Sequence, residues 1–154
     1  MLAQYEYVGY AWKPELRQEA TFLSEKWDFC RYQPDVVCIN LGTNDLSTPN
    51  YDLKLLKQNY NQLYKTVRQH NPQAKVVFLT GSMLYNQELE LQKQLLDEIA
   101  AEAHKAGDKE VYRFDMAPIS GEEFYGNDWH PNIYQDEKMA VELTAYLRSL
   151  MNWF

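Results

Sequence analysis

Three short runs suited to β-strands, residues 35–41, 75–80 and 111–115, alternate with segments whose apolar residues recur every three or four positions. That alternation restricts the chain to an α/β architecture: a parallel sheet covered by helices on both faces. The run at 35–41 is continuous, apolar and rich in β-branched residues, as expected of a strand buried on both sides. Helical stripes are predicted at Leu16, Ala20, Leu23, Trp27 and Cys30 (a helix over 14–29 opened by Pro14), at Leu53, Leu56, Tyr60, Leu63 and Val67, at Leu91, Leu95, Ile99 and Ala103, and at Met139, Leu143, Leu147 and Leu150. Pro34 and the pair Asn71-Pro72 stop the first two, and Gly107 stands where a left-handed residue would end the third. Asn50 is the candidate cap of the second helix, and Asn132 with Gln135 has the spacing of a capping box for the last. No linker composition or internal repeat divides the chain, so residues 1–154 read as one domain.

With 154 residues the chain can build one real core but not two. Its 22 acidic against 15 basic residues, a formal charge of −7, would repel a phosphate backbone, which excludes nucleic acid as a natural partner. No apolar run approaches the roughly 20 residues of a membrane-spanning helix, and the first residues lack the basic and apolar regions of a signal peptide. Cys30 and Cys38 are the only cysteines and read as two buried free thiols, since neither a Cys-x-x-Cys pair nor a close Cys/His cluster exists to hold zinc. Neither a metal nor an organic cofactor is implied.

Reactive groups of an open parallel sheet gather at the carboxyl ends of its strands. Gly42-Thr43-Asn44-Asp45 directly follows the first run, and the Asn44 amide could donate to an oxygen that becomes negative during a reaction. By itself the segment also reads as an ordinary turn. Of three histidines, His70 and His104 end helical stripes and are expected at the surface, whereas His130 lies in Asp128-Trp129-His130-Pro131-Asn132, a loop leading into the last helix. His130 is the candidate general base, held in one tautomer by the side chain or the backbone carbonyl of Asp128. An Asx turn with a capping histidine would look the same in isolation.

Taken together, Trp27-Asp28-Phe29, then the segment from Pro34 through Gly42-Thr43-Asn44-Asp45, then Asp128-Trp129-His130-Pro131-Asn132 resemble the SGNH (GDSL-like) hydrolases, and within them the family 2 carbohydrate esterases that deacetylate plant polysaccharides. The resemblance runs over residues 27–148. It implies a three-layer, flavodoxin-like fold, Asn44 as the oxyanion-hole donor, His130 as base and acid, Asp128 as its orienter, and Gly42 and Trp129 as substrate contacts. An acetylated carbohydrate or another small ester would be the substrate, and a longer parent protein would be secreted or periplasmic.

The family's first block, Gly-Asp-Ser, which carries the nucleophile, does not occur in the sequence. Gly9 is a weak match to the second block. Ser82 follows the wrong strand and Ser120 lies in the loop before His130, so neither replaces the nucleophile. The expectation is a chain that begins after the catalytic serine and lacks the central first strand. Residues 35–41 would then present an open edge beside Val37 and Ile39, inviting a homodimer, segment exchange, or pairing with residues 4–8. Three functions compete: a serine esterase holding the oxyanion donor and base, a non-catalytic remnant or subunit that binds sugar or a partner, and, ranked last, a metal hydrolase using Asp45, Asp128 and His130.

Overall fold

The computed structural model describes residues 5, 6 and 26–154. Strands β1 (Val36–Asn40), β2 (Lys75–Thr80) and β3 (Val111–Asp115) lie side by side in that order, and both pairings are parallel. Helix α1 (Thr43–Leu46) is a single turn after β1, α2 (Leu53–His70) connects β1 to β2, α3 (Asn86–Lys105) connects β2 to β3, and α4 (Ile133–Met151) ends the chain.

The sheet divides two apolar clusters. Ile39, Val76, Phe78 and Val111 meet Leu56, Tyr60, Tyr64 and Val67 of α2 and Leu95, Leu96 and Ile99 of α3. Val77, Leu79 and Met116 meet Met139, Leu143, Tyr146 and Leu147 of α4 on the other face. The predicted three layers and parallel sheet are therefore present. β2 is enclosed by both clusters, with Val76, Val77 and Phe78 fully buried, because a strand with neighbours on both sides and helices on both faces leaves no side chain a route to water.

The strands at 75–80 and 111–115 match prediction to the residue, and Gly107 ends α3 with φ 103° as expected. Elsewhere local chemistry differs. Asp52, not Asn50, caps α2, its carboxylate accepting from the Leu55 N–H at 2.9 Å while Asn50 takes a left-handed turn conformation. Helix α3 begins five residues before its predicted stripe. Asn132 caps α4 through the Tyr134 and Gln135 N–H groups, but its own N–H donates to the Phe124 carbonyl instead of completing a box with Gln135, whose side chain is buried.

The predicted helix over 14–29 lies almost wholly outside the described residues. Its last part is not helical: Asp28 is extended and caps a 3₁₀ turn at Phe29–Arg31. Pairing of residues 4–8 with the β1 edge also falls largely outside the described set, although Tyr5 stacks on Phe29 and Glu6 meets His70. Both cysteines are free, as predicted, but exposed rather than buried. Cys38 points to the α4 face from β1, which among the described residues pairs with β2 alone and is poorly covered there. His70 and His104 are likewise not simple surface residues. The His70 ring stacks on Phe29 at 3.9 Å and its Nε2 meets Glu6 at 2.8 Å, while His104 Nε2 donates to the Val111 carbonyl at 2.8 Å.

At the amino end of the sheet a half-buried ionic cluster ties α2 to the turn after α3. Asp108 accepts from Arg68 Nε at 2.7 Å and from the Tyr64 hydroxyl at 2.5 Å. Burial pushes the Asp108 carboxyl up, but hydrogen bonds from Tyr64, the Glu110 N–H and Arg68 outweigh it and hold the group below its ordinary value. Tyr64 is pushed up to about 12, first by burial and then by Asp108, so its hydroxyl remains a donor at neutral pH. Because the folded carboxyl lies below the unfolded value of about 3.9, its contribution is fully present above that pH and is lost as pH falls through the folded value. We predict that Asp108→Asn costs about 1–3 kcal/mol at pH 7 and that the gap to the parent protein narrows at pH 3, as read from denaturation at both values. A gap that widens in acid would contradict this assignment.

Candidate active site

Parallel register brings three strand ends to one rim. Asn40 is opposite Leu79, and Thr80 is opposite Asp115, so the segments following β1, β2 and β3 all leave the same edge of the sheet. The segment after β1 carries Gly42 to Asp45, and the long connection after β3 carries Asp128 to Asn132.

Gly42 adopts φ 102°, a left-handed conformation that suits glycine, and reverses the chain from β1 into α1. Its carbonyl accepts from the Leu46 N–H at 2.9 Å, and Leu46 is buried, which pins the turn to the core. Gly42 itself is buried against Tyr60 and Gln92, while Asn44 and Asp45 are exposed on the outer side of the turn. Directly beside it, a Cβ at Gly81 would come within 3.1 Å of Asn40 Oδ1 and 3.3 Å of Thr43 Oγ1. The segments after β1 and β2 therefore touch closely, and a side chain at Gly81 would have to displace those of Asn40 and Thr43.

His130 is positioned by a tight loop. Its N–H donates to the Asn127 carbonyl at 3.1 Å and its carbonyl accepts from the Gly126 N–H at 2.7 Å. Tyr125 and Pro131 form an antiparallel bridge, and the Asn132 amide donates to the carbonyls of Glu123 and Tyr125. Within this loop Asp128 (φ 53°, ψ 43°) and Trp129 (φ 61°) are consecutive left-handed residues. Their curl aims the Asp128 main-chain carbonyl at His130 Nδ1, 2.9 Å away. Since a carbonyl can only accept, Nδ1 carries a proton, and in the neutral ring this leaves Nε2 with the lone pair that a base uses. Of the two holders open to Asp128, the structure uses the backbone one.

The loop is anchored to the segment after β2. The Ile119 N–H donates to the Ser82 carbonyl at 2.9 Å, the Tyr85 hydroxyl donates to the Ile119 carbonyl at 3.1 Å, and the Tyr85 and Tyr125 hydroxyls meet at 2.5 Å. Burial and then Tyr125 push Tyr85 up to about 12, so the Tyr85 hydroxyl keeps its proton throughout the physiological range. Tyr125 also meets the Trp129 ring edge-on at 5.7 Å, leaving Trp129 74% exposed. Residues 81–85 thus touch the Asn44 turn on one side and the His130 loop on the other.

Ser82 is buried, which removes it as an accessible nucleophile; Ser120 is exposed, and Gly9 lies outside the described residues. Among the described residues no group of three His, Cys, Asp or Glu is gathered closely enough to hold a metal ion, and no helix is long and apolar enough to cross a membrane. Tyr85, Gln92 and Tyr125 escaped the sequence reading, and Tyr60 entered it only as an apolar position of the second helical stripe. Gln92 left a trace, a polar residue between Leu89 and Leu96 on the buried face of α3.

The model of the GDSL-like lipase/acylhydrolase family matches residues 9–136. The chain belongs to that family. It is 37% identical over 128 residues to the cellulase/esterase CelE of Acetivibrio thermocellus, covering 83% of this chain and 16% of that protein. It is 30% identical to the acetylxylan esterase/glucomannan deacetylase of Cellvibrio japonicus, covering 83% of this chain and 34% of the relative. Among solved structures, a family two carbohydrate esterase from Clostridium thermocellum in complex with cellohexaose superposes with TM-score 0.80 at 36% identity, over 85% of this chain and 40% of that one. The chain thus spans less than half the length of each of these proteins, and the structural neighbours that it matches at 29–36% identity are family two carbohydrate esterases.

The paired left-handed residues in this GDSL-like domain generate a test. Asp128→Gly should leave stability within about 1 kcal/mol of the parent, whereas Asp128→Val, β-branched and intolerant of positive φ, should lose about 1–3 kcal/mol in chemical denaturation. Equal losses would show that the conformation at Asp128 is not what the loop depends on.

Proposed function

We propose that this domain supplies the oxyanion donor and the acid–base group of an esterase that removes O-acetyl groups from carbohydrate. The observation that carries the reading is the His130 imidazole, fixed through Nδ1 on a main-chain carbonyl in a loop that leaves the same sheet rim as the Asn44 turn. Asn44 would donate its amide N–H to the ester oxygen as it gains negative charge, an interaction absent from the ground state and therefore one that lowers the barrier. His130 Nε2 would take the proton of the attacking hydroxyl and return it to the departing sugar oxygen. The bond broken is the acyl C–O, and the products are acetate and a free sugar hydroxyl. The nucleophile of the family is a serine in Gly-Asp-Ser, a block this sequence does not contain; on this chain alone water would have to serve, and turnover would be weak.

Asp128 orients His130 through its backbone, so its carboxylate matters less than its conformation. The exposed Trp129 ring, edge-on to Tyr125, offers an apolar platform for a pyranose face. Relatives named for acetylxylan and glucomannan, and a structural neighbour holding cellohexaose, favour an acetylated β-linked plant glycan.

A second reading has its own support. The exposed Trp129 ring, edge-on to Tyr125, would serve equally a domain that binds carbohydrate without cleaving it. Hydrolysis of an aryl acetate separates the two. On the esterase reading, measurable turnover falls about 10²–10³-fold in Asn44→Ala and about 10²–10⁴-fold in His130→Ala, while Asp128→Asn retains most of it. A folded protein with a flat baseline that nonetheless binds acetylated oligosaccharide supports the second reading and removes the first for this chain.

A further inference from the structure

The Leu41 carbonyl, the last backbone acceptor before the Gly42 turn, receives two side-chain donors from two different helices. The Tyr60 hydroxyl of α2 donates to it at 2.5 Å and the Gln92 amide of α3 at 2.7 Å. Both side chains are buried, Tyr60 to 3% and Gln92 to 1% exposure. With both lone pairs engaged from inside the core, the carbonyl has one orientation, and the peptide plane that leads into Gly42 is fixed with it.

The same two side chains meet the next residue. A Cβ at Gly42 would lie 3.1 Å from Gln92 Nε2 and 3.7 Å from the Tyr60 ring, so the turn rests directly on them. Burial, and to a lesser degree the charge of Asp45, push the Tyr60 hydroxyl well above its ordinary value despite its bond to Leu41, which keeps it a donor. A tyrosine hydroxyl and a glutamine amide are costly to bury unless they are paired, and here both find the same carbonyl as acceptor. Their placement on one carbonyl points to a task beyond packing.

We propose that Tyr60 and Gln92 are positioning residues for the Asn44 amide, acting through the Leu41 carbonyl and the Gly42 turn without touching substrate. Their importance for catalysis rests on the reading of Asn44 as oxyanion donor; the mechanical link does not. The test uses the ¹⁵N-labelled chain with Tyr60→Phe, which deletes one hydroxyl, and Gln92→Met, which keeps shape and removes the donor. Exchange of the Leu46 and Ser47 amides, which bond to the Gly42 and Thr43 carbonyls, should quicken at least about tenfold. The Asn44 side-chain amide resonances should move toward their random-coil positions, while exchange of the Val77 and Phe78 amides in β2 is unchanged. An unmoved Asn44 signal in a folded variant overturns the proposal, as does acceleration spread equally into β2, the mark of general destabilisation. Should Gln92→Met fail to fold, Tyr60→Phe decides alone. If the linkage holds but Asn44→Ala leaves aryl acetate hydrolysis unchanged, the oxyanion reading fails and the positioning claim stands.

Discussion

Parallel register is the constraint from which the rest follows. Two crossovers through α2 and α3 return the chain to the same end of the sheet, and the pairings Val36 with Lys75 and Val76 with Val111 bring the carboxyl ends of all three strands together. A shift of one residue in β1 would turn Ile39 out of the α2/α3 core and carry the Gly42 turn away from Gly81. The apolar enclosure of β2 makes such a shift expensive, so hydrophobic packing far from the rim holds the register on which the rim depends.

The rim itself is organised by polar contacts. Tyr60 and Gln92 hold the Leu41 carbonyl, Gly81 lets Asn40 and Thr43 approach, and Tyr85 with Tyr125 ties the last long loop to the segment after β2. Hydrogen bonds do here what packing cannot, because they fix direction as well as distance. The left-handed pair Asp128 and Trp129 is backbone strain held by that frame, and it delivers one carbonyl to one imidazole nitrogen.

Periodicity revealed the sheet and helices α2, α3 and α4 because burial on one or both faces leaves a repeating apolar mark, and β2 and β3 were legible to the residue. The loops around Asn44 and His130 were legible as motifs, since short polar segments between apolar runs stand out. What stayed hidden depends on tertiary context. Asn50 and Asp52 are both good caps by type, and only the path of the chain chose Asp52. Cys38 sits in an apolar run yet is exposed, because burial depends on what covers the strand. The partners of the Leu41 carbonyl come from 19 and 51 residues away, a separation that no local pattern records.

The central claim is that the Asn44 amide and the His130 imidazole address the same acyl group. Titration of the ¹⁵N-labelled domain with a methyl 6-O-acetyl-glucoside tests it most directly. The account predicts that the Asn44 side-chain amide and the His130 ring nitrogens shift together along a single binding curve; two different curves, or movement of one group while the other stays fixed, would contradict it.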